Sequence, residues 1–281
     1  MTLSEGITEY LEYLRASTTR AEENYGRYLK QFLETGDSLL KSITLSDVAK
    51  FQLTIRATKS PKTWEYVSSI LRAFFHYHYS RISFDWRMVR VKKVLAKSHS
   101  IMEPQEFEAL DKSVVDYEYP DLQKKLALNL LWNTGMRVRE LVNLNLEDLQ
   151  GNRAAIPTAK RHQKRIVMWS ERTSYLLNQY LLIRKELGGE ALFINIEYKD
   201  GWKGPITTRA VQRWFKVMCQ RAGTRRLTPH CCRHGWAVFR RKKGAPFSFV
   251  QKGLGHSSPA STMFYQQYTD KDFEEEAASY L

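Results

Sequence analysis

Residues 228–244, TPHCCRHGWAVFRRKKG, decide how the second half of the chain is read. Thr228 is an N-cap residue type. Pro229 suits the first helical position, where its missing N–H costs nothing and its fixed φ already matches the helix. A helix therefore opens at Pro229, and His230 and Arg233, three residues apart, share one of its faces. A group able to exchange a proton and a group able to neutralise an oxyanion then address the same point.

Upstream, NTGMRVREL (133–141) follows a run of buried-helix character through Leu126, Leu130 and Leu131. Gly135 breaks that helix and sets Arg137 at the start of the next, where its planar fork can be presented to a phosphate. Glu140 reads as a supporting partner of an active-site Arg or His, and His234 as structural or supporting. Between Leu149 and Trp169 the period changes. AAIPTAK, a charged turn and RIVMW read as a β-hairpin with 161–164 at its tip. Helical spacing resumes at Val211, Trp214, Phe215 and Met218. Downstream, GLGHSSPASTMFYQQY (253–268) holds a glycine-rich turn, His256, a second N-cap and N1 pair in Ser258 and Pro259, and a short helix bearing Tyr265.

The first eighty residues repeat the helical period: Ile7, Tyr10, Leu11 and Leu14; Tyr25, Tyr28, Leu29 and Phe32; then Trp64, Val67, Ile70, Leu71, Phe74 and Phe75, behind an N-cap and N1 at Ser60 and Pro61. This predicts a bundle of about four helices over residues 1–82, its aromatic stripe serving as core. Residues 83–100 lack a clean period and read as a basic interdomain linker. The pattern restarts at Ile101 with IMEPQEFEALDKSV, opening a second domain over 101–281 that ends in a tail, 270–281.

The net charge of +14 is unevenly spread. Residues 151–265 carry 22 basic and 5 acidic side chains, a net +17, whereas residues 1–80 carry 10 and 9. Such concentration is the footprint of a polyanion, with nucleic acid first among candidates. No apolar run is long enough to span a bilayer, and the first residues, MTLSEGITEYLEYL, lack a basic start and an h-region, so a cytoplasmic protein with no membrane partner is expected. Three cysteines, two of them adjacent, form no disulfide framework. Cys219, His230, Cys231, Cys232 and His234 invite a zinc reading, but neighbours on a helix point about 100° apart and do not converge on one ion. They read as small buried thiols beside polar residues. No cluster of Asp and Glu suited to magnesium accompanies the motifs, so neither metal nor cofactor is expected.

TGMR with REL, a hairpin lysine, H-x-x-R-H, L-G-H-S-S, and a tyrosine nine residues after that histidine stand here in order. In this the chain resembles the tyrosine recombinases, or phage integrase family, and looks most like their compact Xer-type members. The resemblance spans nearly the whole sequence. It implies a mostly α protein with a small β-sheet, built as a two-domain DNA clamp with a helical core-binding domain before the catalytic domain. It implies that Arg137 and Arg233 grip the scissile phosphate and His256 hydrogen-bonds it. His230 would assist proton removal, Lys160 would protonate the departing 5′-hydroxyl, and Tyr265 would attack phosphorus to leave a 3′-phosphotyrosine. The sequence departs from the family where Arg139 replaces a small residue, where Cys232 replaces the usual Leu of H-x-L-R, and in AKRHQKR, which lacks flanking glycines. Lys164 therefore stands beside Lys160 as an alternative proton donor. Tyr268 competes with Tyr265, but lies twelve residues after His256.

The implied activity is site-specific recombination through a Holliday junction, with integration, excision or resolution as outcomes. The implied partners are double-stranded DNA with paired sites and three further copies of the chain, with a second recombinase or accessory protein as a further candidate. A nucleoid location follows. In the tail, Phe273, Ala277 and Tyr280 form an apolar stripe beside Glu274, Glu275 and Glu276, an amphipathic helix suited to a neighbouring protomer. A type IB topoisomerase would use the same chemistry as a monomer. A non-catalytic DNA-binding module would have no reason to hold Arg137, His230, Arg233, His256 and Tyr265 together.

Overall fold

In the computed structural model, residues 1–17, 19–94, 100–157, 164–197 and 201–255 are described. The chain divides into two compact units, Met1–Lys97 and Ser98–Leu281.

The first unit holds α1 (Leu3–Ser17), α2 (Thr19–Leu33), α3 (Leu45–Thr58) and α4 (Pro61–Tyr77). Their starts follow from local chemistry. Thr44 accepts a hydrogen bond from the Asp47 backbone N–H while the Asp47 carboxylate accepts from the Thr44 N–H, a reciprocal cap for α3. Ser60 Oγ accepts from the Thr63 N–H at 3.2 Å, with Pro61 behind it at the first position of α4. The expected apolar stripe forms the core: Leu29, Phe32, Ile70, Leu71, Phe74 and Phe75 are fully buried, and Phe32 and Phe51 meet with ring centroids 5.2 Å apart. Each such side chain contributes about 1.5–3 kcal/mol through burial.

The stretch from residue 83, read from the sequence as the start of a linker, lies against these helices as far as residue 94. Arg72 on α4 donates through Nε to the Val89 carbonyl at 2.9 Å, and Gln52 on α3 donates to the Arg90 carbonyl at 2.8 Å. Val89 is buried and the Val94 N–H reaches Glu65. Side chains of α3 and α4 thus satisfy the segment's backbone, which no hydrophobic period discloses.

The second unit runs α5 (Pro104–Lys112), α6 (Tyr119–Thr134), α7 (Val138–Val142), β1 (Leu149–Gln150), β2 (Arg153–Pro157), β3 (Lys164–Met168), α8 (Glu171–Arg184), β4 (Ile194–Glu197), β5 (Gly201–Pro205), α9 (Thr208–Ala222), α10 (Pro229–Lys242) and α11 (Phe247–Leu254). The core gathers on α6, whose Leu122, Leu126, Leu128, Leu130 and Leu131 are buried and which packs against α8 and α10. Strands β1, β2 and β3 form one antiparallel sheet in that order, with Ala155 opposite Ile166. This is the hairpin expected from the sequence, except that Lys164, read as part of the tip, is in β3 opposite Pro157. A second antiparallel pair, β4 with β5, was not foreseen. Arg184, fully buried at the end of α8, donates to the carbonyls of Gly188, Gly189 and Ala191, so the charge enters the core with its donors met.

Candidate active site

Gly135 ends α6, as the sequence predicted, and does so in the left-handed conformation, φ 62°. A Cβ there would sit 2.8 Å from the Trp236 indole, so this turn demands glycine on two counts. Two residues on, Arg137 is the N-cap of α7. Its backbone N–H donates to Glu140 Oε2 at 2.7 Å and its Nη1 donates to Oε1 at 3.0 Å. Glu140 holds both ends of Arg137 while the guanidinium stays about a third exposed.

Helix α10 supplies the second cation. Its N-cap is Thr228 and its first residue Pro229, but the Thr228 hydroxyl lies 3.3 Å from Cys231 Sγ rather than capping a backbone N–H. Arg233 is 4% exposed, and its Nη1 and Nη2 donate to the carbonyls of Gly135 and Leu254, each at 2.7 Å. One guanidinium thus ties the turn before Arg137 to the end of α11. His230 lies at the surface one turn earlier, its ring 6.4 Å from that of His234. Trp236 completes the joint: its Nε1 donates to the Asn133 carbonyl at 2.8 Å and its ring packs on Gly135 and Gly253. Gly235 lets the Met102 carbonyl cross α10 closely, and the Met102 N–H donates to the Cys231 carbonyl.

Sequence reasoning missed Arg165. It points inward from β3 with 5% exposure, forks onto Glu140 through Nη1 and Nη2 at 3.0 and 2.7 Å, and donates through Nε to the Gly253 carbonyl at 2.9 Å. Its signal was an inverted strand: Ile166 and Met168 face solvent, while Arg165 and Val167 face inward. Burial alone would raise the Glu140 pKa, but hydrogen bonds from Arg165 and the Arg137 N–H, with both positive charges, hold its carboxyl below the ordinary range. Glu140 is therefore an anion keyed to two arginines.

The structure brings Arg137, Glu140 and Arg233 together through Gly135, and places His230 on the helix that carries Arg233. Lys160, His256, Tyr265 and Tyr268 lie outside the described residues, as does the tail; Lys164 is the exposed first residue of β3. Cys219, Cys231 and Cys232 are buried, the last pushed well above the usual thiol pKa chiefly by burial. His230 is exposed, and among the described residues no three His, Cys, Asp or Glu side chains come together as a metal site would require. Basic residues Arg240, Arg241 and Lys242 close α10.

Arg137, part-exposed and keyed to Glu140, can present its fork to an anionic oxygen. The profile of the phage integrase family matches residues 101–274. Tyrosine recombinase XerD of Listeria innocua serovar 6a is 28% identical over 271 residues, covering 91% of this chain and 89% of that one. Tyrosine recombinase XerA of Pyrococcus horikoshii is 25% identical over 281 residues, covering 96% and 90%. Among solved structures, the Tn1549 transposon integrase in complex with a circular intermediate DNA superposes with a TM-score of 0.79 at 17% identity, covering 94% of each chain. The XerH recombinase on its palindromic difH substrate, a post-cleavage complex, gives 0.76 at 21% identity, covering 97% and 83%. These two show the fold. The chain belongs to the phage integrase family. It is a site-specific tyrosine recombinase, an enzyme that cleaves and rejoins DNA strands.

Proposed function

We propose that the chain binds double-stranded DNA at paired sites, residues 1–82 serving as a core-binding domain and residues 101–281 as the catalytic domain, and exchanges strands through Tyr265. Tyr265 Oη attacks phosphorus while its proton passes to His230. The bond from phosphorus to the 5′ oxygen breaks, and that oxygen takes a proton from Lys160. A 3′-phosphotyrosine remains, and attack by the 5′-hydroxyl of another strand reverses the step. Arg137 and Arg233 neutralise the charge that grows on the phosphate oxygens, with His256 hydrogen-bonding the same group.

The observation that carries this reading is the pair of 2.7 Å bonds from Arg233 to the Gly135 and Leu254 carbonyls. They fasten the helix of His230 to the turn of Arg137 and to the helix after which His256 follows in sequence. The net +17 of residues 151–265 fits a DNA partner. Strand exchange on two duplexes calls for four protomers, linked here through the acidic amphipathic tail 270–281, and places the protein at the nucleoid in the cytoplasm. On a nicked substrate that lets the cleaved fragment diffuse away, the wild type accumulates an SDS-resistant protein–DNA adduct. Tyr265→Phe abolishes it with DNA affinity retained; an undiminished adduct in that variant refutes the assignment.

A further inference from the structure

Resting on the reading of Arg137 as a phosphate ligand, we infer that Arg165 is a positioning residue for cleavage, acting through Glu140 on Arg137 and through the Gly253 carbonyl on the end of α11. Its three donors leave little freedom. Nη1 and Nη2 form a parallel fork with the two Glu140 oxygens at 3.0 and 2.7 Å, and Nε spans to Gly253 at 2.9 Å. Glu140 spends the same oxygens on Arg137, Oε1 on Nη1 and Oε2 on the backbone N–H. Any rotation of the carboxylate therefore moves the Arg137 fork, and Arg165 is the group that forbids rotation.

The other end of the side chain bears on α11. Gly255 caps that helix at φ 64°, and a Cβ there would lie 2.9 Å from Arg165 Nη1. The guanidinium thus forms the floor beneath the helix end, while Arg233 binds the next carbonyl, Leu254, from α10. Two buried arginines from different elements hold two consecutive carbonyls immediately before the segment that contains His256 and Tyr265. A residue serving only the fold needs no such convergence, since Arg184 in the same unit satisfies its donors on one local loop. Lysine, a point charge without the fork, reproduces one of the three contacts at most.

The test uses the full-length chain on the adduct-trapping substrate at saturating DNA. A wild-type adduct establishes the underlying reading independently. With that adduct formed, Arg165→Ala slows it about a hundredfold, as a misplacement near 1 Å does, with DNA affinity within about twofold. Arg165→Lys retains the charge and bulk and falls between the two. The same reactions are repeated with sulfur in place of the bridging 5′ oxygen, which removes the need for a proton donor. The Arg165 lesion persists on that substrate, because the defect lies in holding the phosphate. Rescue by sulfur overturns the inference, assigning Arg165 to the hairpin lysine beside it instead. An adduct rate within about twofold of wild type in Arg165→Lys also overturns it, and this variant decides the matter should the alanine variant fail to fold.

Discussion

Replacing Gly135 by alanine strikes the joint where α6, α10 and the Arg137 turn meet. Two costs arise separately. A left-handed backbone costs an L-residue about 1–2 kcal/mol, and Gly135 sits at φ 62°. The added Cβ would then lie 2.8 Å from Trp236 Cδ2 and 2.9 Å from Cε3. The indole has little room to retreat, since Nε1 is bonded to the Asn133 carbonyl and the far edge of the ring packs on Gly253. Overpacking of this kind costs about 1–3 kcal/mol, which brings the total to about 2–5 kcal/mol. For a unit the size of Ser98–Leu281 this lowers the melting temperature by about 5–15 °C. Urea and thermal unfolding, followed by tryptophan fluorescence, measure it. Trp236→Ala removes the ring whose Cγ, Cδ2 and Cε3 the new Cβ meets but leaves φ unchanged, so in a double-mutant cycle the two substitutions couple by about 1–2 kcal/mol. A Gly135→Ala protein within about 0.5 kcal/mol of wild type, or strictly additive substitutions, refutes the account of this joint.

Three further outcomes are expected. Glu140 has a folded pKa below its ordinary 4.5, so its ion pairs stabilise fully above that value and are lost as pH falls through the lowered one; Glu140→Gln, by stranding Arg165, costs about 3 kcal/mol at pH 7 and shows a shallower loss on acidification in urea titrations at pH 7 and pH 4. Cleavage lost in Lys160→Ala returns when the bridging 5′ oxygen is replaced by sulfur, and the same rescue in Lys164→Ala alone would exchange their roles. Ser60→Ala removes the cap of α4 and destabilises the first unit by about 1 kcal/mol, read as a shift in its urea midpoint.

The sequence disclosed what periodicity and local caps encode. Ile70, Leu71, Phe74 and Phe75 recur at the helical spacing because one stripe of α4 is buried, and Gly135 announced the break before Arg137 because other residues resist its backbone. What escaped was set by tertiary contact. Arg165 was not singled out, since charge ordinarily faces solvent, and the outward Ile166 and Met168 show that the strand is inverted. Strand β5, GWKGP, carries two glycines and no alternation, so its pairing with β4 had no local signature. Residues 83–94 resembled a linker because Phe84, Trp86 and Val89, which pack on the helices, follow no sustained period, and hydrogen bonds from Arg72 and Gln52 fasten the backbone between them. No period or cap marks Trp236, whose fit against Gly135 and Gly253 is set by tertiary packing. Arg137 and Arg233 were singled out by the order of the motifs, and Pro229 marked the first residue of the helix that carries Arg233.

The central claim is that a tyrosine on this scaffold becomes covalently joined to DNA, and peptide mapping of the trapped adduct by mass spectrometry tests it most directly. After nuclease and protease digestion, the account predicts a nucleotide-bearing peptide whose modified residue is Tyr265. Modification at Tyr268, or DNA bound at full affinity with no modified peptide, would contradict it.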